Sequence, residues 1–506
     1  MPSRIVSAVA AALLVPGTIA VVSLTTAAPA AAAICSSRTA GDINNDGFPD
    51  VIVGQPFRKL GGFNQVGAAS LMRGRSTGLT TSDNQELRAT DVTGVSDEPG
   101  DLTGTASAIG FFNGDCFADA IVGVPGDGDG SLLYYKGSSS GLTSPIEIKA
   151  AQLHHDARDV GTTLAVGDFN HDGYDDVAIG ADQADKGGGV AILYGSSTGL
   201  NVTSPAWFDQ SSPALPGSPE TGDLFGFSVA AGDFNGDHYA DLAIGVPGEG
   251  LGSVVDAGDV TILYGTSIGL SSNHSTLWDH NSTGVPGTAV LQDQFGFSLA
   301  AGDVTGDGKA DLVVGDPNES IGSVVRAGEI VLLKGSSSGI SGTGSQVFDQ
   351  NSTSVPGTSE EDDLFGTAVT VGDFNGDGKA DVAVGVPGEG VGAVDHAGCV
   401  DVLKGSSSGL TGSGSTAWDL STVGQTVATG DQFGSSVLAR KVTGGSRADL
   451  VIGTPDRDTG ALTDNGIETV LLSNSGGLTA TGSETNSASG LVGGAATGAH
   501  FGASLG

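Results

Sequence analysis

The stretch Asp373–Gly385 reads Asp-Phe-Asn-Gly-Asp-Gly-Lys-Ala-Asp-Val-Ala-Val-Gly and joins an acidic loop directly to a short apolar strand. Oxygen-bearing side chains stand at loop positions 1, 3, 5 and 9, with a glycine at position 6. A hard divalent cation prefers such a loop, because carboxylates and a backbone carbonyl converge on one point when the loop curls. The stretch therefore predicts a cation site and, directly after it, a buried strand.

The same loop, called the Asp loop below, recurs along the chain at a long and nearly constant period. Complete copies begin at Asp42, Asp168, Asp233, Asp303 and Asp373, and altered copies begin at Phe111 and Lys441. The intervals between successive starts are 69, 57, 65, 70, 70 and 68 residues. A motif that returns at such a period indicates one supersecondary unit that is repeated, here seven times.

Each unit contains four short strand-like segments. In the unit at 363–432 they lie around 365–372, 382–386, 398–403 and 416–419. The chain contains 85 glycines and only 15% charged residues, and it shows no sustained helical periodicity, which favours all-β structure. Four short strands per unit are typical of a propeller blade, so we predict an all-β, seven-bladed β-propeller of four-stranded blades.

The two ends of the chain complement each other. The first Asp loop, at Asp42, lacks the Phe-Gly strand that precedes the later loops, and Phe501–Gly506 is a Phe-Gly strand without a following loop. Joined, they make one complete unit. We therefore expect a propeller over residues 34–506 that is closed by the C-terminal strand, which leaves no exposed sheet edge.

The N-terminal segment 1–33 has the features of an export signal. Arg4 is its only charge, an apolar run covers 5–22, and small residues precede a cleavage point after Ala33. A membrane anchor is the alternative, but Pro16 and the glycine after it interrupt the apolar run. We therefore expect a signal peptide at 1–33, a secreted, extracellular protein and no membrane span.

Charge and cysteine usage narrow the possible partners. The formal net charge of −38 leaves no basic patch for phosphates, which argues against a nucleic-acid partner. The chain has three cysteines, and export permits a disulfide. We expect Cys35 to pair with Cys116, and Cys399 to be a buried free thiol.

The repeated motifs resemble the FG-GAP repeats of the integrin α-subunit N-terminal propeller, and also secreted bacterial FG-GAP proteins. The motifs that carry this resemblance are the Asp loops, the Phe-Gly pairs at Phe225, Phe295, Phe365 and Phe433, and the Gly-Val-Pro-Gly turns at 245–248 and 385–388. In that family the Asp loops bind Ca²⁺ on one face of the propeller. The ligands are side chains at positions 1, 3, 5 and 9 and the carbonyl oxygen at position 7.

The resemblance implies about five Ca²⁺ sites. The implied ligands are Asp42, Asn44, Asp46, Phe48 and Asp50; Asp168, Asn170, Asp172, Tyr174 and Asp176; Asp233, Asn235, Asp237, Tyr239 and Asp241; Asp303, Thr305, Asp307, Lys309 and Asp311; and Asp373, Asn375, Asp377, Lys379 and Asp381. His238 replaces the glycine of the fourth loop, so that turn must accommodate a side chain. Phe111 and Lys441 replace the first acid of the second and seventh loops, where we expect no site.

Two classes of function remain open. The first is an extracellular binding or cell-adhesion module, a monomer whose ligand is a protein or a polysaccharide. The second is a secreted hydrolase, phospholipase-like or glycosidase-like, built on the same propeller. Gly-x-Ser-x-Gly recurs as a periodic turn between strands rather than as a nucleophile elbow. We therefore assign no catalytic residue. An EF-hand is excluded because position 12 of the sixth loop is Val384, inside a strand.

Overall fold

The structure is a computed structural model, and it describes residues 38–143 and 145–506. The signal peptide predicted at 1–33 and the cysteine at 35 lie outside the described residues.

Seven antiparallel sheets form the described part of the chain, and we number them as blades 1 to 7 in chain order. The strands of blades 1 to 3 are β1 (Val51–Gln55), β2 (Ala68–Arg75), β3 (Gly78–Leu87), β4 (Ser107–Gly110), β5 (Asp119–Val124), β6 (Ser131–Tyr135), β7 (Ile146–Lys149), β8 (Leu164–Gly167), β9 (Asp176–Ala181), β10 (Gly189–Leu193) and β11 (Ala206–Phe208). The strands of blades 4 and 5 are β12 (Ser228–Gly232), β13 (Asp241–Val246), β14 (Asp259–Tyr264), β15 (Ser271–Trp278), β16 (Ser298–Gly302), β17 (Asp311–Asp316), β18 (Glu329–Lys334) and β19 (Ser341–Phe348). The strands of blades 6 and 7 are β20 (Ala368–Gly372), β21 (Asp381–Val386), β22 (Cys399–Ser406), β23 (Gly409–Trp418), β24 (Ser436–Arg440), β25 (Asp449–Thr454), β26 (Ile467–Asn474) and β27 (Gly477–Asn486).

The strand order confirms the predicted seven-bladed propeller. Six sheets contain four strands that pair in chain order, and the innermost strands of neighbouring blades lie beside one another around the central axis. The second strand of every blade is buried along its whole length, which explains its run of Val, Ile and Leu. Within the described residues, helix is limited to one turn, α1 (Ala150–Leu153), and two short 3-10 segments.

Blade 1 obtains its fourth strand from the C-terminus, as the sequence predicts. Ile52 donates its N–H to the carbonyl oxygen of Gly506 at 2.8 Å and accepts the N–H of Gly506 at 3.0 Å. Gly54 donates to the carbonyl oxygen of Ser504 at 2.9 Å. The last residues of the chain therefore pair antiparallel with β1 and close the ring.

The Phe-Gly pairs hold neighbouring blades together. Phe365 is fully buried between blades 5 and 6, in one core with Val313 and Val382. Its neighbour Gly366 has a φ of +96°, and a Cβ there would lie 2.7 Å from the carbonyl oxygen of Glu329. Only glycine therefore permits this close approach. Removing such a buried Phe side chain costs about 3–5 kcal/mol, because a cavity remains.

The cysteines agree with expectation as far as they are described. Cys399 is a buried free thiol and Cys116 is disulfide-bonded; its expected partner at 35 lies outside the described residues. No helix within 38–143 or 145–506 has both the length and the apolar character needed to cross a bilayer.

Candidate metal-binding loops

All seven Asp loops lie at the same end of their blades. In blades 2 to 7 the loop connects the innermost strand to the second strand, as the sixth loop does between β20 and β21, and in blade 1 the loop directly precedes β1. Neighbouring loops are joined by a backbone hydrogen bond of 2.8–3.1 Å, in which the N–H at position 8 donates to the position-1 carbonyl oxygen of the preceding loop. The donors are Ala118, Asp175, Ala240, Ala310, Ala380 and Ala448. The first loop has Pro49 at position 8, and proline has no N–H, so this bond cannot form where the ring closes.

Apart from Thr305 in the fifth loop, the first, third and fifth side chains of the complete loops accept hydrogen bonds from the backbone of their own loop. In the sixth loop, Asp373 accepts hydrogen bonds from the N–H groups of Gly376 at 2.6 Å and Gly378 at 3.0 Å. Asn375 accepts from the N–H of Asp377 at 2.8 Å, and Asp377 accepts from that of Lys379 at 2.9 Å. The corresponding bonds recur in the other complete loops, at Asp42, Asn44 and Asp46; Asp168, Asn170 and Asp172; Asp233, Asn235 and Asp237; and Asp303 and Asp307.

In the five complete loops the fourth and sixth positions have a left-handed backbone. In the sixth loop Gly376 and Gly378 have φ values of +78° and +83°. His238, which replaces the glycine in the fourth loop, adopts the same conformation with a φ of +75°. A non-glycine residue there is strained, so the loop geometry is retained at some cost in stability.

The ninth Asp of every loop is buried and links two parts of its blade. Asp381 accepts one hydrogen bond from the N–H of Phe374 at 3.3 Å and another from the N–H of Gly405 at 3.0 Å. The second of these bonds recurs in every blade at 2.8–3.0 Å. The ninth Asp residues are Asp50, Asp119, Asp176, Asp241, Asp311, Asp381 and Asp449. Because the altered loops keep this bond, the ninth Asp has a structural role that does not depend on a cation.

Burial dominates the electrostatics of these ninth carboxylates. Burial, together with repulsion from the nearby carboxylates of Asp168 and Asp172, raises the pKa of Asp176 to about 8. Burial likewise raises the pKa of Asp50 and Asp241 to about 7 and that of Asp381 to about 6. A cation held among these groups would favour their ionised forms, since an opposite charge lowers the pKa of a carboxyl group.

The complete loops offer donors that suit Ca²⁺. Every implied ligand atom is an oxygen, the donor type that a hard cation prefers. In the fifth loop the Oγ1 atom of Thr305 is buried without a hydrogen-bond partner in the described structure. A buried hydroxyl oxygen without a partner is costly, so this atom is available as a ligand. The three carboxylates of a loop accept hydrogen bonds from different backbone N–H groups. In the described residues, the oxygen atoms of these three carboxylates do not all lie within 4.8 Å of one another.

The two altered loops fill the same space with other groups. In the second loop the Phe111 side chain is buried, and the Arg38 guanidinium lies 5.0 Å from the centre of its ring. In the seventh loop the Thr443 hydroxyl donates to Asp449 at 2.8 Å. Neither loop offers the set of oxygen donors found in the complete loops, in agreement with the sequence.

A second acidic group, which the repeat pattern of the sequence does not reveal, lies at the opposite end of the blades. His280, Asp293, Asp316, Glu319 and Glu329 come together between blades 4 and 5. The sequence contains one indication of this group. An acid, Asp316, ends a buried strand at the repeat position where two other blades carry Val246 and Val386. The other residues are spread over 50 positions of sequence and match no single motif, so only the fold brings them together.

The family comparison agrees with the geometry of the loops. The family model of the FG-GAP repeat matches residues 37–72, 160–193, 225–263, 295–333 and 365–403. These five segments contain the five complete Asp loops, and neither altered loop is in a matched segment.

Similar proteins include integrin alpha subunits and a phospholipase. Integrin alpha pat-2 of Caenorhabditis briggsae is 31% identical over 265 residues, which are 50% of this chain and 21% of that protein. Integrin alpha-7 of Rattus norvegicus is 32% identical over 36% of this chain and 15% of its own length. Phosphatidylinositol-glycan-specific phospholipase D of Rattus norvegicus is 31% identical over 31% of this chain and 18% of its own length. The chain thus spans about a fifth of these relatives or less.

Fold, loops and comparisons together define a seven-bladed β-propeller with repeated acidic hairpin loops. The chain contains five FG-GAP repeats and forms an integrin-alpha-like propeller.

Proposed function

We propose that the protein is an extracellular calcium-binding recognition module, in which Ca²⁺ in five Asp loops stiffens one end of the propeller. The observation that carries this proposal is the coincidence between the five family-matched segments and the five loops with a full set of oxygen donors. Because neighbouring loops are hydrogen-bonded to one another, a cation in one loop also orders the next.

The recognition surface that we propose is the end of the central axis opposite the Asp loops. A cavity of about 510 Å³ opens there and is lined by residues at or next to the starts of the innermost strands. Phe227 and Phe297 lie at its rim, half-buried, with their ring centres 5.0 Å apart. Blades 6 and 7 place Thr367 and Ser435 at the equivalent positions. An aromatic pair beside hydroxyl groups suits a polysaccharide or an extended protein segment.

The test of this proposal is binding of the Ca²⁺-loaded protein to cell-wall polymers and to surface proteins, with and without a chelator. We expect a ligand that is retained only with Ca²⁺, and at least a tenfold loss of affinity in a variant carrying Phe227→Ala and Phe297→Ala. The matched control carries Thr367→Ala and Ser435→Ala, which alter equivalent rim positions without removing an aromatic ring. Equal affinity of the two variants would contradict the assignment of the rim.

A hydrolase remains the second candidate, because of the similarity to a phosphatidylinositol-glycan-specific phospholipase D. That similarity covers 18% of the phospholipase, so it carries the shared repeats and not its activity. A screen of the purified protein for phosphodiesterase, esterase and glycosidase activity separates the two candidates. Turnover by the wild type would overturn a purely binding function.

A further inference from the structure

A group of buried ionisable side chains lies where blade 4 meets blade 5, far from the Asp loops. We call His280, Asp293, Asp316, Glu319 and Glu329 the interface cluster. Asp316 ends β17, the strand that begins at the ninth residue of the fifth loop, so about 17 Å separates the two regions along the strand. His280 follows the outermost strand of blade 4, whereas the acids belong to blade 5 or to the segment that enters it.

The donor atoms of the interface cluster converge. The Nε2 atom of His280 lies 2.9 Å from Oδ2 of Asp316 and 3.8 Å from Oε1 of Glu329. Asp316 also belongs to a second group with Asp293 and Glu319, and within each group the ligand atoms lie within 4.8 Å of one another. In tetrahedral zinc coordination with bonds of about 2.1 Å, the donors are about 3.4 Å apart, so small side-chain movements bring these atoms to ligand distance.

The His280 ring is oriented as metal ligands usually are. Its Nδ1 atom lies 2.8 Å from the carbonyl oxygen of Pro286, which only accepts hydrogen bonds, so Nδ1 carries a proton. Nε2 then points at the carboxylates. A histidine that binds a metal through one nitrogen almost always donates its other N–H to such a carbonyl or carboxylate.

Two carboxylate oxygens of the cluster have no hydrogen-bond partner in the described structure. They are Oδ1 of Asp316, a fully buried residue, and Oε2 of Glu319. No described Lys or Arg forms an ion pair with any acid of the cluster. A doubly protonated His280 would satisfy its own contact with Asp316 but would leave both oxygens without a partner. Buried charges without partners are strongly unfavourable, so the cluster lacks a positive charge that a cation supplies.

Neighbouring blade interfaces show what this position looks like without the cluster. Gln210 and Gln350 occupy the repeat position of His280, and each donates to a single glutamate, Glu249 at 2.7 Å and Glu389 at 2.6 Å. Asp316 and Glu329 are paired opposite each other on β17 and β18, whereas the same pairs in blades 4 and 6 are Val-Asp and Val-Cys. Like charges directly opposite in a sheet are destabilising, so this pair needs a compensating group.

Unpartnered buried acids occur elsewhere, but without convergence. Both carboxylate oxygens of Asp259 and of Asp401 are buried without partners. Neither residue belongs to a group of three ligand side chains within the part of the chain that is described. Convergence, and not burial alone, distinguishes the interface cluster.

We propose that the interface cluster binds one divalent transition-metal ion of the zinc class, with His280 Nε2 and the carboxylates of Asp316 and Glu329 as its central ligands. Mixed imidazole and carboxylate donors suit zinc, whereas calcium takes oxygen donors only. The ion links blade 4 to blade 5, because His280 and the acids come from different blades. It reaches the site past Glu319, which is partly exposed, beside a surface cavity of about 320 Å³ lined in part by Gln294 and Asn318.

The test is a titration of the Ca²⁺-saturated full-length protein with Zn²⁺, after removal of other metals, with Co²⁺ as a spectroscopic probe. We expect one Zn²⁺ per chain, a rise in melting temperature on its addition, and visible Co²⁺ absorption bands. His280→Gln and Asp316→Val should each weaken Zn²⁺ binding about 100-fold or more. Both substitutions introduce the residue that the same chain uses at that repeat position in other blades, so both variants should fold.

The matched control is His154→Gln, which removes a histidine from the other group that contains one, His154, His155 and Asp156 on the surface of blade 2. It should bind Zn²⁺ as the wild type does. Absence of Zn²⁺ binding by the wild type, Zn²⁺ binding that survives His280→Gln or Asp316→Val, or its loss in His154→Gln would each overturn the proposal. Calcium counted in the same samples reports on the Asp loops separately, so failure of either proposal is visible without the other.

Discussion

The sixth and seventh Asp loops occupy the same place in their blades but carry different side chains. The sixth carries oxygen donors at positions 1, 3 and 5, whereas the seventh begins with Lys441 and lacks all the acids except the ninth. In both loops the ninth Asp is buried and accepts the N–H of the turn between the outer strands, Gly405 in one and Ser473 in the other. The two loops separate two roles within one motif: the ninth Asp holds the blade together, and we propose that the first three oxygen positions serve a cation.

The largest effect should come from removing a ninth Asp where no cation site exists. Asp449 is fully buried and accepts four hydrogen bonds, two from Thr443 and two from Ser473. Asp449→Ala leaves two backbone N–H groups without partners, at about 1–3 kcal/mol each, so we expect a loss of about 3 kcal/mol or more. Urea unfolding with and without Ca²⁺ measures it, and the loss should be the same in both. A loss that appears only with Ca²⁺ would contradict a structural role.

The next effect should appear only when Ca²⁺ is present. Asp373→Asn keeps an acceptor for the loop backbone but removes a charged ligand, so without Ca²⁺ the free energy of unfolding should change little. At a Ca²⁺ concentration 100 times the Kd, loss of one site should cost about 2.7 kcal/mol. Lys441→Gln, at the same position of the seventh loop, is the control and should show no Ca²⁺-dependent change. If Asp373→Asn lowers the free energy of unfolding by the same amount with a chelator as with Ca²⁺, the first loop position stabilises the fold directly and not through the cation.

A smaller effect should follow from rebuilding an altered loop. The second loop keeps Asn113, Asp115 and Asp119 but begins with Phe111. Phe111→Asp should add one bound Ca²⁺ per chain, which calorimetric titration counts. The substitution should also lower stability, because it replaces a buried aromatic ring. No added Ca²⁺ in a folded variant would show that the first Asp is insufficient to complete a site.

The fold could be predicted from the sequence because two of the recurring residues are the donor and the acceptor of one hydrogen bond. The ninth Asp and the glycine of the Gly-Ser turn recur together since the carboxylate of one accepts the N–H of the other in each blade, as in Asp381 and Gly405. Ring closure was likewise readable, because the Phe501–Gly506 strand is the missing part of blade 1.

The sequence did not reveal that the ninth Asp of each loop has a structural role that the other loop acids lack. It also did not reveal the interface cluster. The ligand pattern treats Asp381 as one donor among four, and its burial and two backbone bonds became visible only in the structure. His280 and Asp316 lie 36 residues apart and meet only because one ends blade 4 and the other lies inside blade 5. A repeat pattern shows which positions recur, but not which exceptional residues the fold places together.

Calcium stoichiometry tests the central claim most directly. Calorimetric titration of the metal-free protein with Ca²⁺, checked by native mass spectrometry, should give five bound ions per chain, one for each loop with oxygen donors at positions 1, 3, 5 and 9. A count of zero would contradict the assignment of these loops as cation sites, and a count of seven would contradict the separation between complete and altered loops.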